Sequence, residues 1–251
     1  MILNQKMTIP LSIDDSKLTA TGLIRGLLLG LGVLLSGDLL AQADVSGVWM
    51  LNGRAQEGEL RLTAEGLRIQ SEYDLLEDDP SLYCVPASAS RVWANPNVRT
   101  SIEQYPDRIF ISHEFFDLRR DIPIGDASVI PDEPSTKNVN GSYFAELGSS
   151  FAYYQGDHLI IESRKHAPGY IRTSVGVPQG EETHTIEELW LEDGELRLTQ
   201  TYIDETLFEV PFVLNYRFTR FADSEIPLYQ CTDADYDWFN ELNSPVEEDG
   251  Q

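Results

Sequence analysis

The chain is short of cations. Its 251 residues hold 18 Lys and Arg against 42 Asp and Glu, a formal net charge of −24. Such a surface repels nucleic-acid phosphates and anionic headgroups, which argues against nucleic acid and membrane surfaces as partners. The acidity suits solubility or, more narrowly, the steering of a cationic ligand. Cysteine is nearly absent. Cys84 and Cys231 stand alone, with no C-x-x-C to suggest redox chemistry and no His at ligand spacing beside either. The histidines, His113, His158, His166 and His184, are scattered, and no pair has helical metal spacing. G-x-S-x-G, a Walker loop, G-x-G-x-x-G after a strand and H-E-x-x-H are all missing. No metal and no cofactor is therefore expected. Repeats and low-complexity tracts are missing too.

What is present begins at the N-terminus. Lys6, Lys17 and Arg25 precede the apolar run Gly26 to Leu35, and Ala41-Gln42-Ala43 follows. That is the order of a secretory signal peptide. The run is far short of the roughly 20 residues that span a bilayer. Residues 1–43 are expected to be removed after Ala43, leaving no membrane span and placing the protein in the periplasm or outside the cell. The leader's three basic residues are cancelled by Asp14, Asp15 and Asp38, so the exported part keeps the whole acidic excess. Two cysteines in an oxidising compartment predict one disulfide, Cys84 to Cys231, with a stabilisation of about 2–4 kcal/mol.

From residue 44 the chain reads as strands. Gly47 to Leu51 opens the domain. Glu59 to Thr63 and Leu67 to Tyr73, around Ala64-Glu65-Gly66, predict a hairpin. Leu82 to Pro86 reads as a short segment buried through Leu82 and Cys84. Thr100 to Gln104 and Arg108 to Phe115 flank Tyr105-Pro106-Asp107, and Arg119 to Ile124 follows. Residues 125–148 read as a long loop, with Asn140-Gly141-Ser142 as a turn. Phe151 to Tyr154 pairs with His158 to Ser163, and Thr183 to Leu191 with Glu195 to Ile203 across Asp193-Gly194. Val210 to Phe218 alternates cleanly, with Pro211 on its edge or solvent side. A short helix is expected over 235–242.

Even-length strands joined by hairpins predict an all-β fold, an antiparallel barrel of about eight or more strands with minor helices. A sandwich is the alternative. Residues 44–242 form one domain, and 243–251 an acidic disordered tail.

Alternation also finds polar groups on inward faces. Arg120 shares a face with Ile122 and Ile124, and Glu187 with Leu189 and Leu191. A buried Arg needs a carboxylate or an anionic ligand, so Glu187 is its candidate partner. Whichever face of Arg108 to Phe115 turns inward brings His113 or Glu114 with it. His184 is, with Glu187, a candidate for proton transfer. Trp49, Tyr202, Tyr216, Phe212 and Phe218 supply aromatic walls for an apolar cavity.

Gly47-Val48-Trp49 resembles the G-x-W start of lipocalin-like barrels. Much of 45–233 resembles a family of exported, mostly uncharacterised proteobacterial and acidobacterial proteins. The matching blocks are Val45 to Trp49, Tyr83-Cys84-Val85-Pro86 with Arg91, Tyr105 to Ile109 with Glu114, Arg120 with Ile122, Gly156 to Glu162, His184 with Glu187, Pro211, and Tyr229 to Thr232. The family has Gly-His-Ser ahead of a Trp-Glu-Gly-Asp hairpin. Here Gly148-Ser149-Ser150 and Tyr154-Gln155-Gly156-Asp157 stand in those places. The resemblance implies export and a β-rich fold and supplies no reaction.

The first expectation is an exported lipocalin-like barrel binding a small, largely apolar molecule, with Arg120, Glu187, Glu114 and His184 as convergent polar groups. The second is a cofactor-free lyase, isomerase or cyclase on the same barrel. The third is a structural or interaction module with a filled core. Oligomeric state is left open.

Overall fold

A computed structural model describes residues 43–222 and 225–233. The expected signal segment up to residue 42, the helix over 235–242 and the acidic tail lie outside the described residues.

The strands are β1 (Gly47–Leu51), β2 (Gln56–Glu57), β3 (Arg99–Gln104), β4 (Arg108–His113), β5 (Leu118–Pro123), β6 (Thr136–Asn138), β7 (Ser149–Gln155), β8 (His158–Arg164), β9 (Gly169–Arg172), β10 (Val177–Gln179), β11 (His184–Glu192), β12 (Glu195–Ile203) and β13 (Phe212–Arg220). Two helices, α1 (Ala64–Glu72) and α2 (Ala89–Trp93), interrupt them. One antiparallel sheet runs β6-β5-β4-β3-β1-β13-β12-β11-β8-β7, with β2 alongside β13, while β9 and β10 form a separate ribbon.

The sheet curls until its two ends meet, as an antiparallel barrel rather than a sandwich. At the seam Ile124 bridges Ala152 of β7 in parallel, and the Gly125 N–H donates to the Ala152 carbonyl at 2.8 Å. Nearby the Ser135 N–H donates to the Gly148 carbonyl at 3.1 Å, and the Ser150 N–H to Ser135 Oγ at 2.7 Å. Closure removes the open edges that invite aggregation.

Strict period-2 patterning builds the wall. Along β12 the buried residues are Leu196, Leu198, Gln200 and Tyr202, and along β13 Phe212, Leu214, Tyr216 and Phe218. Each buried aliphatic or Phe side chain contributes about 1.5–3 kcal/mol of burial. The β11–β12 turn needs positive φ at both corners, and Asp193 and Gly194 supply 53° and 80°. Trp49 is fully buried at one barrel end, its indole N–H donating to the Val45 carbonyl at 2.9 Å. The Arg220 guanidinium lies 4.3 Å from its ring centroid. Gly47 sits at φ 142°, a conformation that residues with a side chain rarely adopt, which favours the Gly two residues before this Trp.

Several expectations are corrected. The hairpin over residues 59–73 does not form: residues 59–63 are not a strand and Leu67 to Tyr73 falls mostly in α1. Thr63 caps that helix, its Oγ1 accepting from the Gly66 N–H at 3.1 Å. Arg68 reaches Glu65 and Glu72, each at 2.7 Å, one turn back and one turn on. Leu67 is 55% exposed. The long loop over 125–148 includes β6, which extends the sheet beside β5. Pro211 precedes β13, whose two flanks are paired, so the ladder never needs its missing N–H. Leu82 is buried in a 3-10 turn over Pro80–Tyr83, whereas Cys84 is only partly buried.

Cys84 and Cys231 form a disulfide with Cα atoms 5.8 Å apart, across a sequence separation of 147. No described helix is long and apolar enough to cross a membrane.

Candidate functional site

The barrel interior carries a belt of polar side chains. Its centre is the ion pair Arg120–Glu187, both residues fully buried. Arg120 comes from β5 and Glu187 from β11, across the barrel from one another in sheet order. The guanidinium binds the carboxylate with two N–H groups, Nη2 to Oε2 at 2.6 Å and Nη1 to Oε1 at 3.2 Å. Two further donors reach Oε1: Trp93 Nε1 at 2.5 Å and Gln200 Nε2 at 3.2 Å. Four N–H bonds thus replace the water this carboxylate loses, and without them burying it would be prohibitive.

The belt continues around the wall. His113 of β4 meets Thr100 of β3, Oγ1 to Nδ1 at 3.0 Å, and its ring sits edge-on to Trp93 with centroids 4.8 Å apart. Thr136 of β6 lies directly opposite Arg120 in the register. Ser150 and Ser163 join hydroxyls at 2.8 Å, and Thr185 Oγ1 lies 3.2 Å from His166 Nε2. Burial, reinforced by the positive charges of Arg120 and Arg119, holds the His113 pKa well below the usual histidine value. Burial lowers that of His166 as well. Both rings are therefore neutral near pH 7.

Four buried atoms of this belt have no hydrogen-bond partner: His113 Nε2, Arg120 Nε, Thr136 Oγ1 and Gln200 Oε1. Each such atom costs about 1–3 kcal/mol. Native interiors rarely leave several together without a water, an ion or a functional reason.

α2 closes the belt from one side. Ser88 caps the helix by accepting from the Arg91 N–H at 3.1 Å. The Ser90 N–H donates to the Tyr202 hydroxyl and Ser90 Oγ meets the Tyr216 hydroxyl, both at 2.9 Å. Burial pushes the Tyr202 and Tyr216 pKa values up, keeping both phenols neutral. Trp93, 1% exposed, then fills the space between Glu187, His113 and Phe218.

The structure brings together Arg120 and Glu187 and places Tyr202 and Tyr216 as anchors of α2. Trp49 lies in the core under Arg220. His184 and Glu114 do not join the pair. His184 is three residues before Glu187, so on a strand it points to the other side of the wall. There its Nε2 meets Glu162 at 2.9 Å. Glu114 follows the inward His113, and its carboxylate accepts from the Arg99 N–H at 2.9 Å. Glu187 and His184 therefore share no point at which one substrate could meet both.

Sequence reasoning missed Trp93 and Gln200. Gln200 had a signal, a polar residue among the inward Leu196, Leu198 and Tyr202. Trp93 had only a Ser88 cap ahead of five residues.

No family model matches the chain, and no curated protein matches it. Among solved structures it is similar to the fluorescent protein UnaG, at 12% identity and a TM-score of 0.33, over 70% of this chain and 97% of that one. A mutant of UnaG gives 12% and 0.37, over 71% and 97%. Lipid binding protein 8 of Caenorhabditis elegans gives 11% and 0.34, over 72% and 100%. At that identity and overlap the likeness carries no chemistry to this chain.

Proposed function

We propose that the protein is an exported barrel that binds a small, largely apolar molecule inside, with a polar end seated at the Arg120–Glu187 belt. The observation that carries this reading is the set of four buried, unpartnered polar atoms around that pair. A buried ion pair is weak evidence for stability, since apolar residues of the same volume often do as well. Its retention beside unsatisfied donors and acceptors suits a site that a ligand completes. α2 and Trp93 occupy the interior, so admission of a ligand requires that helix to shift. The disulfide suits an oxidising compartment, in line with export.

Native mass spectrometry of protein taken from its own compartment tests the reading. The expected result is a bound small molecule that the double variant Arg120→Met with Glu187→Leu no longer retains. A fully unliganded spectrum, with no shift in melting temperature across fatty acids, retinoids and tetrapyrroles, would overturn it. The packing of α2 inside the barrel favours a second reading, a filled-core interaction module, which that negative result would support.

A further inference from the structure

The outer wall of β11, β12 and β13 carries a feature unrelated to the interior. Arg197 and Arg217 stand directly opposite one another in the β12–β13 register. Like charges in that position repel and destabilise a sheet. Arg197 has Glu192 at 2.8 Å and Glu195 at 3.3 Å. Arg217, and Arg54 beside it on the same groove, have no carboxylate within 4.0 Å among the described residues. Two arginines placed directly opposite one another on a protein of net charge −24 break a local rule of sheet pairing. Such local rule-breaking is where function is expected.

The groove holds about 410 Å³. Trp190 forms one wall, Glu192 also lines the groove with its carboxylate held by Arg197, and Gln56, Thr199 and Asn215 lie along the floor in register. Trp190 is held in place: the His158 ring stacks on it at 4.9 Å and 6°, and Glu188 binds His158 Nδ1 at 2.6 Å. Thr199 Oγ1 donates to Asn215 Oδ1 at 2.8 Å, which turns the Asn215 amide N–H groups toward other acceptors. An indole wall, side-chain amides and a fork of guanidinium groups together match a ring with an apolar face, several hydroxyls and one anionic substituent. The overall negative field excludes a densely charged polyanion.

We propose that this groove binds an acidic saccharide. Arg54 and Arg217 hold its carboxylate or sulfate, Asn215 and Gln56 its hydroxyls, and Trp190 its ring. The site lies on the opposite side of the wall from the Arg120–Glu187 belt, so the two readings stand or fall separately.

Calorimetric titration of the full chain tests it, with methyl galacturonide, its uncharged counterpart methyl galactoside and inorganic sulfate as probes. Methyl galacturonide is expected to bind at least tenfold more tightly than either other probe, more weakly as salt rises. The double variant Arg54→Gln with Arg217→Gln should lose at least tenfold in affinity with an unchanged melting temperature. Trp190→Ala should lose a similar factor. Equal binding of the neutral sugar, equal binding of sulfate, no binding of methyl galacturonide, or full affinity in the arginine double variant would each overturn the proposal.

Discussion

Two of the barrel's arginines meet carboxylates under opposite conditions. Inside, Arg120 meets Glu187 with neither side chain reaching water. Outside, Arg197 meets Glu192 and Glu195 at comparable distances, with those carboxylates still partly exposed. The distances alone do not tell the two apart; the surroundings do. Inside, each charge is neutralised by the other, and losing one leaves the other buried without a counter-charge. Outside, where Arg197 keeps 18% of its side chain exposed and Glu192 more than half, water and salt can offset part of a lost partner, and a fully exposed pair contributes only about 0–1 kcal/mol.

The largest expected effect tests the dependence inside. Arg120→Met alone should cost roughly 3–5 kcal/mol in urea unfolding, because the buried Glu187 loses its cation. Adding Glu187→Leu should recover most of that loss. Additive effects in the double-mutant cycle would remove the contrast between the two settings.

The disulfide comes next. Replacing Cys84 and Cys231 by Ser should cost about 2–4 kcal/mol. Denaturation of the intact protein with and without reductant should reproduce the difference.

Acid should act through the interior before the exterior. His113 is neutral in the folded barrel, its pKa lowered by burial and by Arg120 and Arg119. Unfolded, it takes up a proton near the ordinary value of about 6.5. The unfolded state therefore binds more protons as pH falls below that value. Stability is full above it and declines below, by up to about 1.4 kcal/mol per pH unit for this group. His113→Gln should flatten the decline measured by urea unfolding between pH 7 and 5, and His166 supplies the share that remains. An unchanged slope in that variant would place the acid sensitivity elsewhere.

The smallest effect is expected outside. Arg217→Gln should change stability by no more than about 0.5 kcal/mol. The sign should be neutral to stabilising, since it removes a like charge opposite Arg197, and the change should shrink in high salt.

How far the sequence can be read follows from the same physics. Where one face is buried and the other wet, period-2 alternation records it. The β11–β12 and β7–β8 hairpins, and the inward positions of Arg120 and Glu187, are legible for that reason. α1 misleads because Leu67, Ile69 and Tyr73 mimic a strand, while the Thr63 cap and the Arg68 pairs are what stabilise the helix. α2 is illegible because five residues show no period; its place is set by Tyr202, Tyr216 and Glu187, which arrive from far along the chain. The spacing of His184 and Glu187 already separates them, yet nothing local weighs Leu189 against Ile186 and Trp190. Chemistry lying between strands, such as the donor set on Glu187, leaves no local trace in any one of them.

The Cys84–Cys231 bond makes a covalent ring of every strand from β3 to β13. A protease that cuts once within that ring, at the exposed turn near Asn140 for instance, opens a circle and releases nothing. The two pieces remain one molecule, aligned across the sheet, and a second cut is needed before any strand can leave. Against any protease, the cross-link thus sets how many cuts the chain survives as well as how tightly it folds.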